Sequence, residues 1–225
     1  MARGVTFALG EFYHLYNRGT DKRVIFKSIR DYDRFVLLLL ICNQSRSIQF
    51  RLRGIRGLTS DIVNAPRGAP LVDIVGYCLM PNHFHIVAKE ITEGGISRFM
   101  QKLSTAYTMY FNKSNSRSGA LLEATFKARH VSDDRYLKYL IGYVHLNPVK
   151  LIDRKWKEDG IKDFPRAQRY LDEYRYSSYP DYAGIKRLEN MILNRDALPE
   201  YFETPKDFKA CTMEWVNGGS MPSEV

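Results

Sequence analysis

The sequence predicts an α+β protein, and three observations carry that prediction. Short stretches at 12–17, 72–79 and 83–90 read as strands, the last alternating apolar and polar residues, and the turn formers Met80-Pro81-Asn82 join the last two as a β-hairpin. Stretches at 28–43, 96–112 and 133–147 repeat apolar residues at spacings of three and four, as amphipathic helices do. Hydrophobic residues make up 44% and charged residues 26% of the 225-residue chain, the balance of a globular protein with a real core. That length fits one domain with an appendage, read here as a domain over 1–185 and a C-terminal extension over 186–225 with a short helix and a frayed tail.

Composition narrows the partners. Lysine and arginine exceed aspartate and glutamate by nine charges and the isoelectric point is about 9.4, a balance that favours polyanions. Fifteen tyrosines and twelve phenylalanines offer rings on which unpaired bases stack, although most must serve the core. Cys42, Cys78 and Cys211 are odd in number and form no Cys-x-x-Cys pair, which argues against a disulfide framework and a cysteine zinc cluster and for a reducing compartment. The first ten residues lack the apolar core of a signal peptide, and the apolar run at 35–42 is too short to span a bilayer. The expected location is cytoplasmic.

The elements follow in order. FYHLYN at 12–17 reads as a strand closed by Asn17-Arg18-Gly19. The helix over 28–43 places Tyr32, Phe35, Val36, Leu39 and Leu40 on one face, with Ser28 or Asp31 at its start. Residues 44–70, with Arg46, Arg51, Arg53, Arg56 and Arg67, read as a strand-and-loop excursion whose charges are solvated or touch nucleic acid. Gly94-Gly95 breaks the chain before a helix over 96–112, in which Tyr107 and Tyr110 read as core or core-edge residues. Residues 121–131 read as a further strand with Lys127 and Arg129 on one face. Ser132 then offers a cap to a helix that Pro148 should end at Asn147. Beyond Pro148 the signals weaken, except for a short helix over 205–215 with Thr204 as cap and Pro205 at its first position.

Two constellations carry chemistry. In a strand, residues two apart share a face, so His83 and His85 project together while Phe84 turns into the core, and two imidazoles side by side make half of a metal site. On the helix 133–147, Leu137, Leu140, Ile141 and Val144 form the core face, and Tyr136, Tyr143 and Asn147 form a stripe on its flank. Lys138, Gly142 and His145 point away, which makes His145 a surface histidine. From spacing alone the alternatives stay open: two half-buried strand histidines, an amphipathic tyrosine, and an asparagine that only caps its helix.

Together the two constellations resemble a known family. PNHFHIV at 81–87, preceded by GYCLM, resembles the histidine-hydrophobe-histidine (HUH) motif of single-tyrosine transposases. YLKYLIGYVHLNPVK at 136–150 is similar to the tyrosine helix of the REP-associated branch, as are YHLYNRGTDKRVIF at 13–26 and SSYPDY at 177–182. The resemblance spans about residues 10 to 185. It implies an antiparallel sheet flanked by helices, ferredoxin-like, with the histidines on a central strand. It further implies His83, His85 and Asn147 as metal ligands for Mg²⁺ or Mn²⁺, and Tyr143 as nucleophile. The chain departs from the branch at Gly119-Ala120-Leu121-Leu122, where glycine, threonine, leucine and tryptophan are usual, and at Thr125, where an arginine is usual.

The resemblance implies strand cleavage and transfer on single-stranded DNA with hairpins, through a 5′-phosphotyrosine, by a chain acting alone or as a homodimer. Two other readings compete with it. A non-catalytic single-strand or hairpin binder on the same scaffold would need none of the four site residues. A metal-dependent hydrolase would use His83 and His85 and ignore Tyr143.

Overall fold

The computed structural model describes residues 4–46 and 57–218, with side chains as far as Met213. Its elements are β1 (Phe12–Arg18), α1 (Ile29–Cys42), α2 (Ser60–Asn64), β2 (Val72–Met80), β3 (His83–Glu90), α3 (Gly95–Ser114), β4 (Lys127–His130), α4 (Asp134–Leu146), α5 (Trp156–Asp159), α6 (Phe164–Glu173), α7 (Tyr179–Tyr182) and α8 (Pro205–Gly218). The four strands form one sheet in the order β2-β3-β1-β4, each neighbour antiparallel. This is the ferredoxin-like order, in which the histidine strand β3 and the first strand β1 occupy the centre. A central strand is held on both edges by ladder hydrogen bonds, which makes it a rigid platform for a site.

Period-two alternation divides the sheet into two faces. Leu15, Phe84 and Ile86 join Phe35, Leu39, Phe99, Leu103 and Tyr107 in a core beneath α1 and α3. Val75, Cys78 and Val87 join Leu137, Ile141, Val144, Tyr179 and Phe208 in a second core between the sheet and α4. His83 and His85 alternate with Phe84 and Ile86, so they stand on the α4 side with Val87.

The helix starts follow local chemistry. At α1 the Asp31 carboxylate folds back to accept from the Ser28 N–H at 2.9 Å, closing a capping box. At α4 the capping residue is Asp133, one position later than expected, and its side chain accepts from the Tyr136 N–H at 2.8 Å. Pro148 ends α4 as an α-helix without stopping the turn, because the chain tightens into a 3₁₀ segment, Asn147–Leu151, with the proline in its first turn.

Two expectations are corrected, and one stretch left open gains its structure. The strand over 121–131 shrinks to β4: Ala124 adopts a left-handed φ of 41°, and before it the Glu123 N–H donates to the Arg18 carbonyl at 2.8 Å, leaving Leu122 only an isolated bridge to Gly19. The described part of 44–70 holds a short helix, α2, capped by Thr59, and no strand; Arg51, Arg53 and Arg56 lie outside the described residues. Past Pro148 the chain is mostly helical, with α6 started by the Asp163 side chain accepting from the Arg166 N–H at 2.9 Å. The terminal helix has the expected cap, the Thr204 hydroxyl accepting from the Asp207 N–H at 3.2 Å, and runs on to Gly218. The tail expected beyond it lies outside the described residues.

Candidate metal and tyrosine site

The α4 side of the sheet brings the site together row by row. Tyr16 of β1 pairs across to His85 and Arg18 to His83, while Lys127 and Arg129 of β4 pair with Tyr16 and His14. Imidazoles, phenol and cations therefore share one face. The His83 and His85 rings meet edge to face with centroids 5.0 Å apart. Over them α4 sets Tyr143, whose ring stands edge-on to His85 at 6.0 Å and to His14 at 6.3 Å.

The ring nitrogens are sorted by their partners. His83 Nδ1 lies 2.7 Å from Asn82 Oδ1, an acceptor, so Nδ1 carries the proton and Nε2 offers its lone pair. His85 Nδ1 lies 2.9 Å from His14 Nε2, and His85 Nε2 is buried with no protein partner. Burial, followed by the nearby charges of Lys150, Lys157 and Arg18, lowers the His83 pKa to about 4. Burial, followed by His14 and His83, holds His85 well below the ordinary imidazole value. Both rings are neutral at pH 7, the form that binds metals.

Asn147 stands at the junction of α4 and the 3₁₀ turn, 3% exposed. Its Nδ2 donates to the Tyr143 carbonyl at 2.9 Å, which leaves Oδ1 as the atom able to ligate. Among the described residues no three His, Cys, Asp or Glu side chains come together as a metal cluster. The residues fit a divalent cation on one independent ground: an unpartnered ring nitrogen in a buried position is costly unless something binds it.

The three tyrosines of α4 stack along the helix, Tyr136 on Tyr139 at 6.2 Å and Tyr139 on Tyr143 at 6.1 Å. Of these, Tyr143 lies against the histidines. Burial pushes Tyr139 up to about 12 and raises Tyr136, which also lies under the Arg129 guanidinium at 5.0 Å. Lys157 of α5 donates to Tyr143 Oη at 3.2 Å, its ammonium 4.5 Å from the ring centroid.

His145 is not a surface residue. It is fully buried, bonded to the Ser178 hydroxyl at 2.6 Å and walled by Tyr182 and Phe208 with centroids at 5.1 and 5.3 Å. Its ring lies beside Gly76 of β2, and Tyr179 and Tyr182 of α7 with Phe208 of α8 close around it.

Two residues of the site were not singled out by the motifs. His14 sits in the first strand, where alternation puts it on the face opposite Tyr13 and Leu15; that period-two pattern could have paired it with the histidine strand. Lys157 had no such signal, since it lies in a stretch without clear periodicity.

The family model described as "Transposase IS200 like" matches residues 39–147. No curated protein matches the chain. Among solved structures, one entitled "Structure of the REP associates tyrosine transposase bound to a REP hairpin" aligns with a TM-score of 0.49 at 10% identity, covering 84% of this chain and 90% of that one. The segment matched by the family runs from the last turn of α1 to the end of α4 and holds His83, His85, Tyr143 and Asn147, and over it this chain is similar to the IS200-like transposases.

Proposed function

We propose that this chain is a transposase that cleaves and rejoins single-stranded DNA at hairpin-containing sites, with Tyr143 as nucleophile and a divalent cation, Mg²⁺ or Mn²⁺, held by His83, His85 and Asn147. The observation that carries the reading is the Tyr143 ring set edge-on over His85, 6.0 Å between centroids, beside a buried imidazole nitrogen without a partner. A structural tyrosine would need no such neighbour.

In the proposed step a bond forms between Tyr143 Oη and phosphorus while the bond from phosphorus to the 3′-oxygen breaks. The phenol proton passes to solvent and the departing 3′-oxygen takes one from solvent, leaving a 5′-phosphotyrosine and a 3′-hydroxyl. Rejoining is the reverse, with the phenolate as leaving group. The bound cation would polarise the scissile phosphate and hold it for attack. By donor type, two imidazoles and a carboxamide suit Mn²⁺ better than Mg²⁺, so Mn²⁺ is expected to bind more tightly.

The chain's own residues line the approach with charge. Lys127 lies over Tyr16 at 5.8 Å and Arg129 over Tyr136 at 5.0 Å, alternating cations for phosphates with rings for bases. The proposed setting is the cytoplasm, on the cysteine usage already described; among the described residues no helix is long and apolar enough to cross a membrane.

A labelled, hairpin-rich single-stranded DNA library, incubated with protein and Mn²⁺ and run on a denaturing protein gel, tests the reading. A covalent band that requires metal, vanishes in Tyr143→Phe and persists in Tyr136→Phe is the expected result. A band that survives Tyr143→Phe would assign the chemistry to another residue, and bound DNA with no covalent band in the wild type would leave a binding module.

A further inference from the structure

His14 and His85 form a hydrogen-bonded imidazole pair in the interior. Their rings are 0% and 4% exposed, their planes lie within 21° of each other, and Nε2 of His14 meets Nδ1 of His85 at 2.9 Å. The two outer nitrogens, His14 Nδ1 and His85 Nε2, have no partner in the protein.

One proton must lie between the two inner nitrogens, and its position decides what His85 can do. With the proton on His14, His85 is the Nε2–H tautomer, its outward nitrogen is a donor, and it cannot ligate. With the proton on His85 Nδ1, the Nε2 lone pair points outward and His14 carries its other proton at Nδ1. Either arrangement leaves one buried N–H without an acceptor, so the pair by itself has little preference. Only the second lets a cation satisfy the orphaned Nε2.

We propose that His14 is a positioning residue that accepts the Nδ1 proton of His85 and so fixes His85 in the tautomer that ligates a divalent cation. The inference rests on the metal reading given above. It assigns to β1 a role that the strand histidines alone do not contain, and it parallels Asn82, which accepts from Nδ1 of His83 at 2.7 Å. Each ligand histidine then has an acceptor of its own, one a side-chain amide in the hairpin turn and one a neutral imidazole on the neighbouring strand. Partners of this kind orient the ring and raise its basicity, and their removal typically costs about 10–100-fold in metal affinity.

The experiment reads metal binding and tautomer, not activity. Long-range ¹H–¹⁵N correlation of the imidazoles, recorded on the full chain with the diamagnetic probe Zn²⁺, should show His85 protonated at Nδ1 and His14 at its own Nδ1. Mn²⁺ affinity, followed by the loss of the free-ion resonance in electron spin resonance, should fall about 10–100-fold in His14→Phe. It should recover in part in His14→Gln, whose Oε1 can accept the same proton. A zinc-bound His85 protonated at Nε2, or Mn²⁺ affinity equal to wild type in His14→Phe, would overturn the proposal while leaving the metal site standing. Should His85→Ala bind Mn²⁺ as well as the wild type does, the metal reading itself falls. The tautomer measurement is made on the wild-type chain, so it decides the matter even where a variant folds poorly.

Discussion

Lys157 places its ammonium 3.2 Å from Tyr143 Oη, and a fixed positive charge at that atom would favour the phenolate that the proposed cleavage and rejoining require there. Lys157→Met should therefore slow formation of the covalent adduct by about 10²-fold, the order seen when one preorganised donor is removed, with DNA affinity reduced far less. Lys157→Arg should keep much of the rate. Single-turnover adduct formation beside a gel-shift titration separates the two effects, and an equal loss in both would make Lys157 a DNA contact only. At this scale the sequence is readable where a periodicity orders the side chains. His83 and His85 share a face because strands repeat at two, and Tyr143 meets Asn147 because helices nearly repeat at four. His145 differs for a related reason: a helical wheel reports which residues share a face but not what packs there, and His145 is closed in between Gly76 of β2 and the later Tyr182 and Phe208.

Among the elements, α3 shows how a buried charge holds a helix in place beneath the sheet. Glu90, 1% exposed at the end of β3, accepts from the first N–H groups of the helix, Gly95 at 3.0 Å and Ile96 at 2.7 Å. A carboxylate there satisfies donors that a helix start leaves open and complements its dipole. Gly95 is required because a Cβ would lie 2.2 Å from the Leu71 carbonyl oxygen. Glu90→Gln should cost about 1–3 kcal/mol of stability, since the amide replaces one acceptor by a donor that faces another N–H. Denaturant titration measures this, and an unchanged midpoint would remove Glu90 from the account. The sequence marked Gly94-Gly95 as a break but could not show that the preceding glutamate reaches round it. In α6 only Ala167 and Leu171 are buried, too few apolar positions for a periodic signal, so that helix escaped notice although Asp163 and Pro165 mark its start. β4 was overextended because composition does not register the left-handed turn at Ala124.

For the molecule as a whole, α4 is the shared wall between the sheet and the C-terminal body, and it carries a histidine that both sides keep neutral. Burial lowers the His145 pKa to about 3, with the nearby Arg187 charge acting in the same direction. In the unfolded chain that group titrates near 6.5. The unfolded state therefore binds the extra proton first, and the stability contributed by keeping His145 neutral is present above pH 6.5 and lost as the pH falls toward 3. At pH 5 the share from His145 is about 2 kcal/mol. His145→Phe suits the aromatic wall of Tyr182 and Phe208 and leaves the Ser178 hydroxyl its contact with the Tyr77 N–H at 2.9 Å, so its unfolding free energy should fall less steeply between pH 7 and pH 5. His14, lowered to about 3 by burial and then by Arg129, adds to the same acid limb from the other side of α4, as do His83 and His85. The two sources would respond differently to a cation: at the proposed site Mn²⁺ would compete with protons at the strand histidines and not at His145. Acid unfolding of His145→Phe followed with and without Mn²⁺ should show its stability raised by the metal near neutral pH, with the gain shrinking as protons displace the cation at low pH. If the metal leaves that stability unmoved, the strand histidines do not bind it. If the variant unfolds with the wild-type slope, the C-terminal body does not hold His145 neutral in solution.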